Sequence, residues 1–485
     1  MLIKEILHNC RRFAESPAYV CREGVLTYRR LEDMASSLAQ ELLGFTRPNS
    51  PVMVYGHKQP LMPVCILACS LAGCPYVPVD DSVPAARAKQ MREECGAQLL
   101  LAVSPIALEG MRVLDANTLL RLCGCPARES QPHAMEPGDV FYIRFTSGSS
   151  GVPKGVKITR DNLECFVAEL CKLDGFGKHG EVILNQAAFS FDLSVADFYA
   201  AFSSGATLFV LEQEAQRDFP LLFTRLKHSG AQTAVLTPSF AELCLSDRSF
   251  GGALLPKLHT VFFCGETLHP ETVCRLWERF GNLRVYNAYG PTETTVAVTV
   301  QEITPAEAAA KALPVGYAIA GTEVCVVDNA LEQCPDGQTG QLLITGKSVG
   351  AGYTGAEQGG FILWRGKPAF LTGDLGTRKN GQLYCGGRAD RQVKYRGYRL
   401  EPQDIEANLL RIGGVARCAV AFTRQRLTAF VQPERGSALT AGEVTRALRE
   451  YLPPYMVPSH VRLVTQLPLN ENGKTDYPAL EGELF

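Results

Sequence analysis

The chain has 485 residues, of which 46% are hydrophobic and 20% charged, and its formal net charge is −2 at pH 7. This composition is that of a globular protein, and the length predicts more than one domain. The near-neutral charge gives no electrostatic reason to expect a nucleic acid partner.

The N-terminus and the longest apolar run both argue against a membrane protein. The first residues carry charges within their apolar run, which excludes a signal peptide. The longest run without charges, residues 59–79, contains four prolines, so it predicts a buried helix and a strand and no membrane span. The seventeen cysteines are scattered without a repeated CxxC pattern, which indicates reduced thiols and a cytoplasmic location.

Strand and helix patterns alternate over the first part of the chain. Apolar spacing predicts a helix over 28–44, a short buried strand over 52–55 and a helix over 61–72. Residues 74–80 predict a turn into a strand. Because the alternation continues to about residue 310, we expect α/β layers with largely parallel strands.

The second part of the chain has two further patterns. Short strands separated by a turn predict a β-rich subdomain at about 313–389. From residue 392 a compact α+β pattern follows, with a helix at 442–452. We therefore predict a large domain over 1–389, with the β-rich subdomain inside it, and a small domain over 391–485.

A glycine-rich loop follows an aromatic and β-branched strand at 141–145. Glycines allow backbone N–H groups to approach an anion, hydroxyl groups add donors, and a lysine neutralises charge. The sequence predicts a second strand-like run at 156–159 after the loop and a helical pattern from Arg160, and the order of strand, glycine-rich loop and helix is typical of phosphate-binding sites. The spacing differs from the common NTPase loop, which disfavours that class. The candidate phosphate-binding residues are Thr146, Ser147, Gly148, Ser149, Ser150, Gly151 and Lys154.

This loop resembles the signature of the adenylate-forming superfamily, which includes acyl-CoA synthetases, luciferases and the adenylation domains of peptide synthetases. The family form has threonine where this chain has Ser150, and the hydroxyl group is kept. Further matches follow in family order over nearly the whole chain. The resemblance implies an AMP-forming ligase that uses ATP and Mg²⁺. It also implies an acetyl-CoA synthetase-like fold, with a large N-terminal domain of layered α/β sheets and a small mobile C-terminal α+β domain.

The segment 287–293, NAYGPTE, resembles the family's nucleotide site. The aromatic ring of Tyr289 offers a face for adenine, and the amide group of Asn287 offers a donor and an acceptor for its edge. The carboxylate of Glu293 is a suitable ligand for Mg²⁺. The resemblance implies that the ATP site includes Asn287, Ala288, Tyr289, Gly290, Pro291 and Thr292.

Two later motifs complete the predicted nucleotide site. In the family, the aspartate that matches Asp374 binds the ribose hydroxyl groups, and the arginine that matches Arg388 meets ribose or phosphate. Asp390 matches the family's hinge position. Lys474 matches the catalytic lysine, which offsets repulsion between the substrate carboxylate and the α-phosphate of ATP and so contacts both substrates.

The amino acid pocket is predicted from three positions. In the amino-acid-activating branch, the aspartate that matches Asp192 receives the substrate's ammonium group. A thiol at Cys264 and an isopropyl group at Val296 leave room for a methyl-sized side chain. Their surroundings most resemble the members that load D-alanine for the D-alanylation of teichoic acid. Sequence does not fix chirality, and L-alanine, glycine and serine stay open.

The expected partner is a small acidic carrier protein that bears phosphopantetheine. Only eleven residues follow Lys474, so we expect the carrier to be a separate protein. The segment 388–399 carries Arg388, Arg391, Lys394, Arg396 and Arg399. Its basic residues form either a solvated face or a docking surface for the carrier.

Overall fold

The computed structural model describes residues 2–125, 133, 135–148, 150–355, 358–395, 397–423, 426–470 and 474–482. Two mainly parallel sheets form most of the chain. The six-stranded sheet has, in spatial order, Arg112–Asp115, Leu99–Ala102, Val52–Tyr55, Tyr76–Val79, Val140–Thr146 and Lys154–Thr159. Its last pair is antiparallel.

The nine-stranded sheet has antiparallel pairs at both edges and parallel strands between them. In spatial order its strands are Tyr317–Ala318, Thr299–Glu302, Arg284–Tyr289, Thr260–Phe263, Thr233–Leu236, Val182–Asn185, Thr207–Val210, Pro17–Cys21 and Gly24–Thr27.

Helices cover these sheets and two of them are buried along their whole length or nearly so. The helix Leu61–Leu71 has no exposed residue, which fits its continuous apolar sequence. The helix Ser194–Ser204 is buried in the same core cluster. The others in this part are Leu2–Arg12, Tyr28–Leu42, Ala85–Cys95, Ala116–Cys123, Arg160–Leu170, Gln213–Arg217, Phe219–Ser229, Pro238–Leu245, Pro270–Phe280 and Pro305–Ala308, with a 3₁₀ turn at Thr292–Thr294.

A five-stranded antiparallel sheet follows, with strands Thr322–Val327, Gly340–Gly346, Phe361–Trp364, Lys367–Lys379 and Gln382–Arg388. The rest of the chain has a hairpin, a three-stranded sheet and short helices. Its elements are Val393–Tyr395, Tyr398–Leu400, Pro402–Leu409, Val415–Thr423, Arg426–Pro433, Ala441–Leu448, Pro454–Met456, His460–Leu463 and Tyr477–Gly482.

Residues 393–482 have apolar clusters of their own. One packs Leu400, Ile405 and Val431 together with other residues of this segment, and a second contains Phe430 and Leu480. We call residues 2–388 the large lobe and residues 393–482 the small lobe. This architecture confirms the predicted fold class, with layered α/β sheets, a β-rich part and a small α+β part. The hinge at Asp390 stays a prediction.

The structure also describes the charge-free run at 59–79 and the cysteines. The charge-free run contains the buried helix Leu61–Leu71 and the strand Tyr76–Val79, and the described residues include no helix long and apolar enough to cross a bilayer. All seventeen cysteines are free thiols.

Candidate active site

The glycine-rich loop connects two antiparallel strands, so the strand-like runs predicted on both sides of it are present, and the loop does not lead directly into a helix. Thr146 pairs with Lys154 where the strand Val140–Thr146 meets Lys154–Thr159. The sequence 154–159 alternates apolar and polar residues, and the pairing satisfies its backbone in a sheet before the next helix begins at Arg160.

The loop itself is tightly closed. A Cβ atom on Gly148 would lie 2.0 Å from the carbonyl oxygen of Val152, so only glycine fits there. Gly151 has φ +81°, and a Cβ atom on it would lie 2.6 Å from the Cβ atom of Ala407 in the small lobe. Ser150 is exposed, and Ser149 lies outside the described residues.

A crevice brings together most of the predicted site residues. It lies between the glycine-rich loop, the loop before the helix Ser194–Ser204, the 290–292 turn and the small lobe. The predicted residues that line it are Thr146, Ser147, Asp192, Gly290, Pro291, Thr292, Asp374 and Arg388. Motifs separated by more than two hundred residues thus meet at one cavity.

A second cavity adjoins the first at Gly290. Asn287, Ala288 and Tyr289 line it together with Lys394, whose Nζ lies 5.8 Å from the centre of the Tyr289 ring. The Nδ2 group of Asn287 donates to the carbonyl oxygen of Pro314 at 2.9 Å, so one of its amide donors is already used. The hydroxyl group of Tyr289 donates to Oδ2 of Asp374 at 2.7 Å.

Asp374, Arg388 and Asp390 form one charged network. Nη1 of Arg388 donates to Oδ1 of Asp374. Nε and Nη2 of the same side chain donate to the two oxygens of Asp390 at 2.6 and 2.8 Å. Burial tends to raise the pKa of Asp390, but the Arg388 guanidinium outweighs it and holds this pKa below its usual range. The predicted ribose-binding carboxylate and the predicted hinge therefore share one arginine.

Glu293 is fully buried and both of its carboxylate oxygens accept hydrogen bonds. The Tyr353 hydroxyl group donates to Oε1 at 2.6 Å, and Nη1 of Arg399 donates to Oε2 at 2.6 Å. A carboxylate suits Mg²⁺ chemically. The Arg399 guanidinium group uses Oε2 in this arrangement, so an ion at that oxygen would compete with it.

Asp192 is partly buried at the edge of the crevice, and its Oδ2 accepts a hydrogen bond from the Thr292 hydroxyl group at 2.6 Å. Burial raises the pKa of this carboxyl group, while the Thr292 hydroxyl group and the Arg144 cation act in the opposite direction. Cys264 and Val296 are buried next to one another, with Sγ 3.7 Å from the Val296 carbonyl oxygen. Neither of these two residues lines the crevice.

The segment 397–399 of the small lobe fills one side of the crevice. The N–H group of Gly397 donates to Oε1 of Glu266 at 2.6 Å, and the Ser147 hydroxyl group donates to the carbonyl oxygen of Arg399 at 3.2 Å. The rings of Tyr398 and Phe191 meet edge to face, 5.1 Å apart. The small lobe is thus docked directly on the glycine-rich loop.

The described basic residues of the segment 388–399 have partners and do not form a free basic face, so the alternative of a solvated face is wrong for them. Arg388 and Arg399 bind carboxylates inside the crevice. Nη2 of Arg391 donates to Glu406 at 3.0 Å, and its guanidinium carbon lies 3.3 Å from the centre of the Tyr477 ring. Lys394 lies over Tyr289, and Arg396 is outside the described residues.

Lys474 is exposed and does not line the crevice. Its backbone N–H group donates to Oδ1 of Asn470 at 3.0 Å, and its carbonyl oxygen accepts from the Asn470 N–H group at 2.8 Å. In this arrangement of the lobes, residues 397–399 lie at the crevice and Lys474 does not. Its catalytic role stays a prediction.

Two charged residues near the crevice escaped the sequence interpretation. Arg87 forms a buried ion pair with Asp404 across the two lobes. Because 317 positions separate the partners, no local sequence pattern predicts this pair. Arg144 lies in the strand before the glycine-rich loop and is 3% exposed. The sequence does contain a signal for Arg144, because a charged residue at an inward position of an aromatic strand indicates a functional or ion-paired group.

Comparisons with known proteins extend over the whole chain. Residues 6–354 match the family described as AMP-binding enzyme, and residues 404–474 match the AMP-binding enzyme C-terminal domain. The D-alanine–D-alanyl carrier protein ligase of Bacillus licheniformis is 38% identical over 500 residues, which cover 100% of this chain and 99% of the relative. The ligase of the same description from Bacillus cytotoxicus is 36% identical over 505 residues, with 100% and 99% covered.

Solved structures have the same fold. The Vibrio cholerae adenylation domain AlmE, in complex with glycyl-adenosine-5′-phosphate, has a TM-score of 0.86 at 23% identity over 100% of this chain and 97% of that one. The structure of IdnL1 has a TM-score of 0.80 at 26% identity, with 96% and 98% covered. By sequence and by fold, the chain belongs to the AMP-binding enzymes of the adenylate-forming superfamily.

Proposed function

We propose that this AMP-forming ligase adenylates D-alanine and transfers the D-alanyl group to the phosphopantetheine thiol of a separate carrier protein. The acceptor pathway is the D-alanylation of teichoic acid, and the reaction takes place in the cytoplasm. The observation that carries the proposal is the crevice, where the partly buried carboxylate of Asp192 lies beside the predicted nucleotide loops. The likeness to D-alanine–D-alanyl carrier protein ligases at 36–38% identity over nearly the whole chain supports the choice of amino acid.

The first half-reaction joins two anions. Asp192 binds the ammonium group of D-alanine, and the loop residues from Thr146 to Lys154 bind the phosphates of ATP. The D-alanine carboxylate forms a bond to the α-phosphorus while the bond to pyrophosphate breaks. Lys474 moves into the crevice for this step and offsets the repulsion between the two anions. Glu293 would hold Mg²⁺, which supplies positive charge to the phosphates.

The second half-reaction uses the arrangement seen in the structure. With residues 397–399 docked and Lys474 outside the crevice, the carrier thiol attacks the carbonyl carbon of the D-alanyl-adenylate and AMP leaves. In this arrangement Arg399 supplies the positive charge next to Glu293, at 2.6 Å. Arg399 uses Oε2 of Glu293 in this arrangement, so a Mg²⁺ ion held by this oxygen would compete with the guanidinium group.

The test is ATP–pyrophosphate exchange by the purified wild-type protein with D-alanine, L-alanine, glycine, D-serine and L-serine. We expect exchange to be fastest with D-alanine. An enzyme that prefers another small amino acid would instead show its fastest exchange with one of the other four amino acids. No exchange with any of the five would contradict the proposed adenylation of a small amino acid.

A further inference from the structure

Arg144 is a buried cation at the end of the strand Val140–Thr146. Residues alternate between the two faces of a strand, so Arg144 shares a face with Tyr142 and with Thr146 of the glycine-rich loop. Its guanidinium carbon lies 5.3 Å from the centre of the Tyr142 ring and 6.0 Å from that of Tyr76. Aromatic faces therefore surround part of the charge, and only 3% of the residue is exposed.

Two donors of this side chain have no acceptor. The buried Nε and Nη1 atoms of Arg144 lack a hydrogen-bond partner, and no described carboxylate lies within ion-pair distance of the guanidinium group. A buried cation without a bound anion is costly for a folded protein. An unpaired buried charge of this kind is expected where a bound ligand supplies the missing acceptor.

The unpaired donors lie beside the predicted amino acid site. Arg144 lines the same crevice as Asp192, and its charge acts on the carboxyl groups of both Asp192 and Asp197. Asp197 is held elsewhere, because the Nδ2 group of Asn185 donates to its Oδ2 at 2.8 Å. Within the crevice, the Asp192 carboxylate and the unpartnered Arg144 donors thus offer an acceptor for a cation and a donor group for an anion, which match the two charges of an amino acid zwitterion.

We propose that Arg144 binds a carboxylate group of the amino acid substrate while Asp192 binds its ammonium group. The inference rests on the proposed function, since it concerns the same pocket. A charge-assisted hydrogen bond from the guanidinium group aligns the carboxylate and uses a donor that is otherwise buried without a partner. The carboxylate is either the α-carboxylate of D-alanine or a second one on an acidic side chain, and the experiment separates these sources.

Two substitutions and one matched control test the proposal by pyrophosphate exchange. Arg144→Met keeps the length of the side chain and removes its donors, while Arg144→Lys keeps the charge. Arg160→Met is the control, because Arg160 is a partly buried arginine whose Nε makes no hydrogen bond and lies 3.9 Å from Oε1 of Glu164, and it does not line the crevice. For each variant, the KM of D-alanine, the KM of ATP and the melting temperature are measured. D-alaninamide, which lacks the carboxylate, serves as a competitive inhibitor.

For an α-carboxylate, Arg144→Met is expected to raise the KM of D-alanine about tenfold to a hundredfold, which corresponds to one lost hydrogen bond to a charged group. Arg144→Lys is expected to have an intermediate KM. The KM of ATP and the inhibition constant of D-alaninamide stay unchanged. The melting temperature stays the same or rises, because an unpaired buried charge has been removed. Arg160→Met changes none of the kinetic values.

For a side-chain carboxylate, the wild-type protein would instead exchange faster with D-aspartate or D-glutamate than with D-alanine, and Arg144→Met would abolish that preference. This result keeps the role of Arg144 and replaces the amino acid of the proposed function.

A purely structural role would overturn the inference. Its signature is a lower melting temperature or loss of folding in Arg144→Met, with the KM values of ATP and D-alanine either rising together or both unchanged. Absence of exchange by the wild-type protein with every amino acid tested refutes the proposed function itself.

Discussion

Breaking the buried ion pair Arg87–Asp404 is expected to slow the transfer of the D-alanyl group without slowing its adenylation. Arg87 lies on the helix Ala85–Cys95 of the large lobe, and Asp404 lies on the helix Pro402–Leu409 of the small lobe. Two hydrogen bonds of 3.2 and 2.7 Å join the guanidinium group to the carboxylate, and the side chains are 5% and 0% exposed. Both charges lose this partner when the small lobe undocks.

The size of the effect follows from burial. Removing one partner of a buried pair costs about 3–5 kcal/mol, because the other charge is left without compensation. In Arg87→Met the Nδ2 group of Asn408 still donates to Oδ1 of Asp404 at 3.1 Å, so we take the lower end of this range. A cost of about 3 kcal/mol reduces the population of the docked arrangement about a hundredfold relative to the undocked one. The transfer rate falls by up to that factor. It falls by less if the docked arrangement greatly outnumbers the undocked one in the wild type.

The assay compares two rates on the same preparation. Pyrophosphate exchange reports adenylation, and transfer of labelled D-alanine to a phosphopantetheinylated carrier reports the second half-reaction. The double variant Arg87→Met/Asp404→Leu is expected to recover much of the transfer rate, because no buried charge is left unpaired. Equal losses of exchange and transfer in Arg87→Met, or no recovery in the folded double variant, would refute a role of the pair in docking.

Three other changes have expected outcomes. Lys474→Ala is expected to lose pyrophosphate exchange by orders of magnitude while transfer from a preformed D-alanyl-adenylate largely survives, and undiminished exchange would contradict the assignment. Arg399→Met is expected to lower severalfold the Mg²⁺ concentration required for half-maximal exchange, because Oε2 of Glu293 becomes available; an unchanged requirement argues against shared use of that oxygen. Burial lowers the pKa of Lys58 from 10.5 to about 7, so between these values the unfolded chain binds more protons and stability rises with pH. Lys58→Met removes this titration together with the hydrogen bonds from Nζ to the carbonyl oxygens of Gln186 and Leu211. The stability of the wild type relative to Lys58→Met should therefore rise by about 2 kcal/mol from pH 7 to pH 9 in urea unfolding, and a constant difference would exclude this titration.

Local sequence patterns predicted much of the fold because the relevant forces are local. The predicted helix over 28–44 corresponds to Tyr28–Leu42, and the predicted strand over 52–55 corresponds to Val52–Tyr55. Apolar spacing determines both the type of such an element and the face it buries. The family assignment was confirmed by the comparisons, because the loop motifs carry residue types at fixed spacing.

Features that depend on distant partners could not be predicted. The partner of Glu293 is Arg399, 106 positions away, and sequence alone suggested a metal ion for this carboxylate and a solvated or docking face for this arginine. The strand Lys154–Thr159 was partly recognised from its alternation, but its antiparallel pairing depends on the neighbouring strand and not on its own residues. Which arrangement of the lobes is adopted depends on contacts such as Arg87–Asp404, which lie far apart in the chain.

The most direct measurement is the intact mass of a phosphopantetheinylated D-alanyl carrier protein after incubation with this enzyme, Mg-ATP and D-alanine. We expect the mass of one added alanyl group, which depends on ATP and is removed by hydroxylamine as expected for a thioester. The same incubation with L-alanine should leave most of the carrier unmodified. An unchanged carrier mass with D-alanine, under conditions in which the enzyme forms the adenylate, would contradict the proposed transfer.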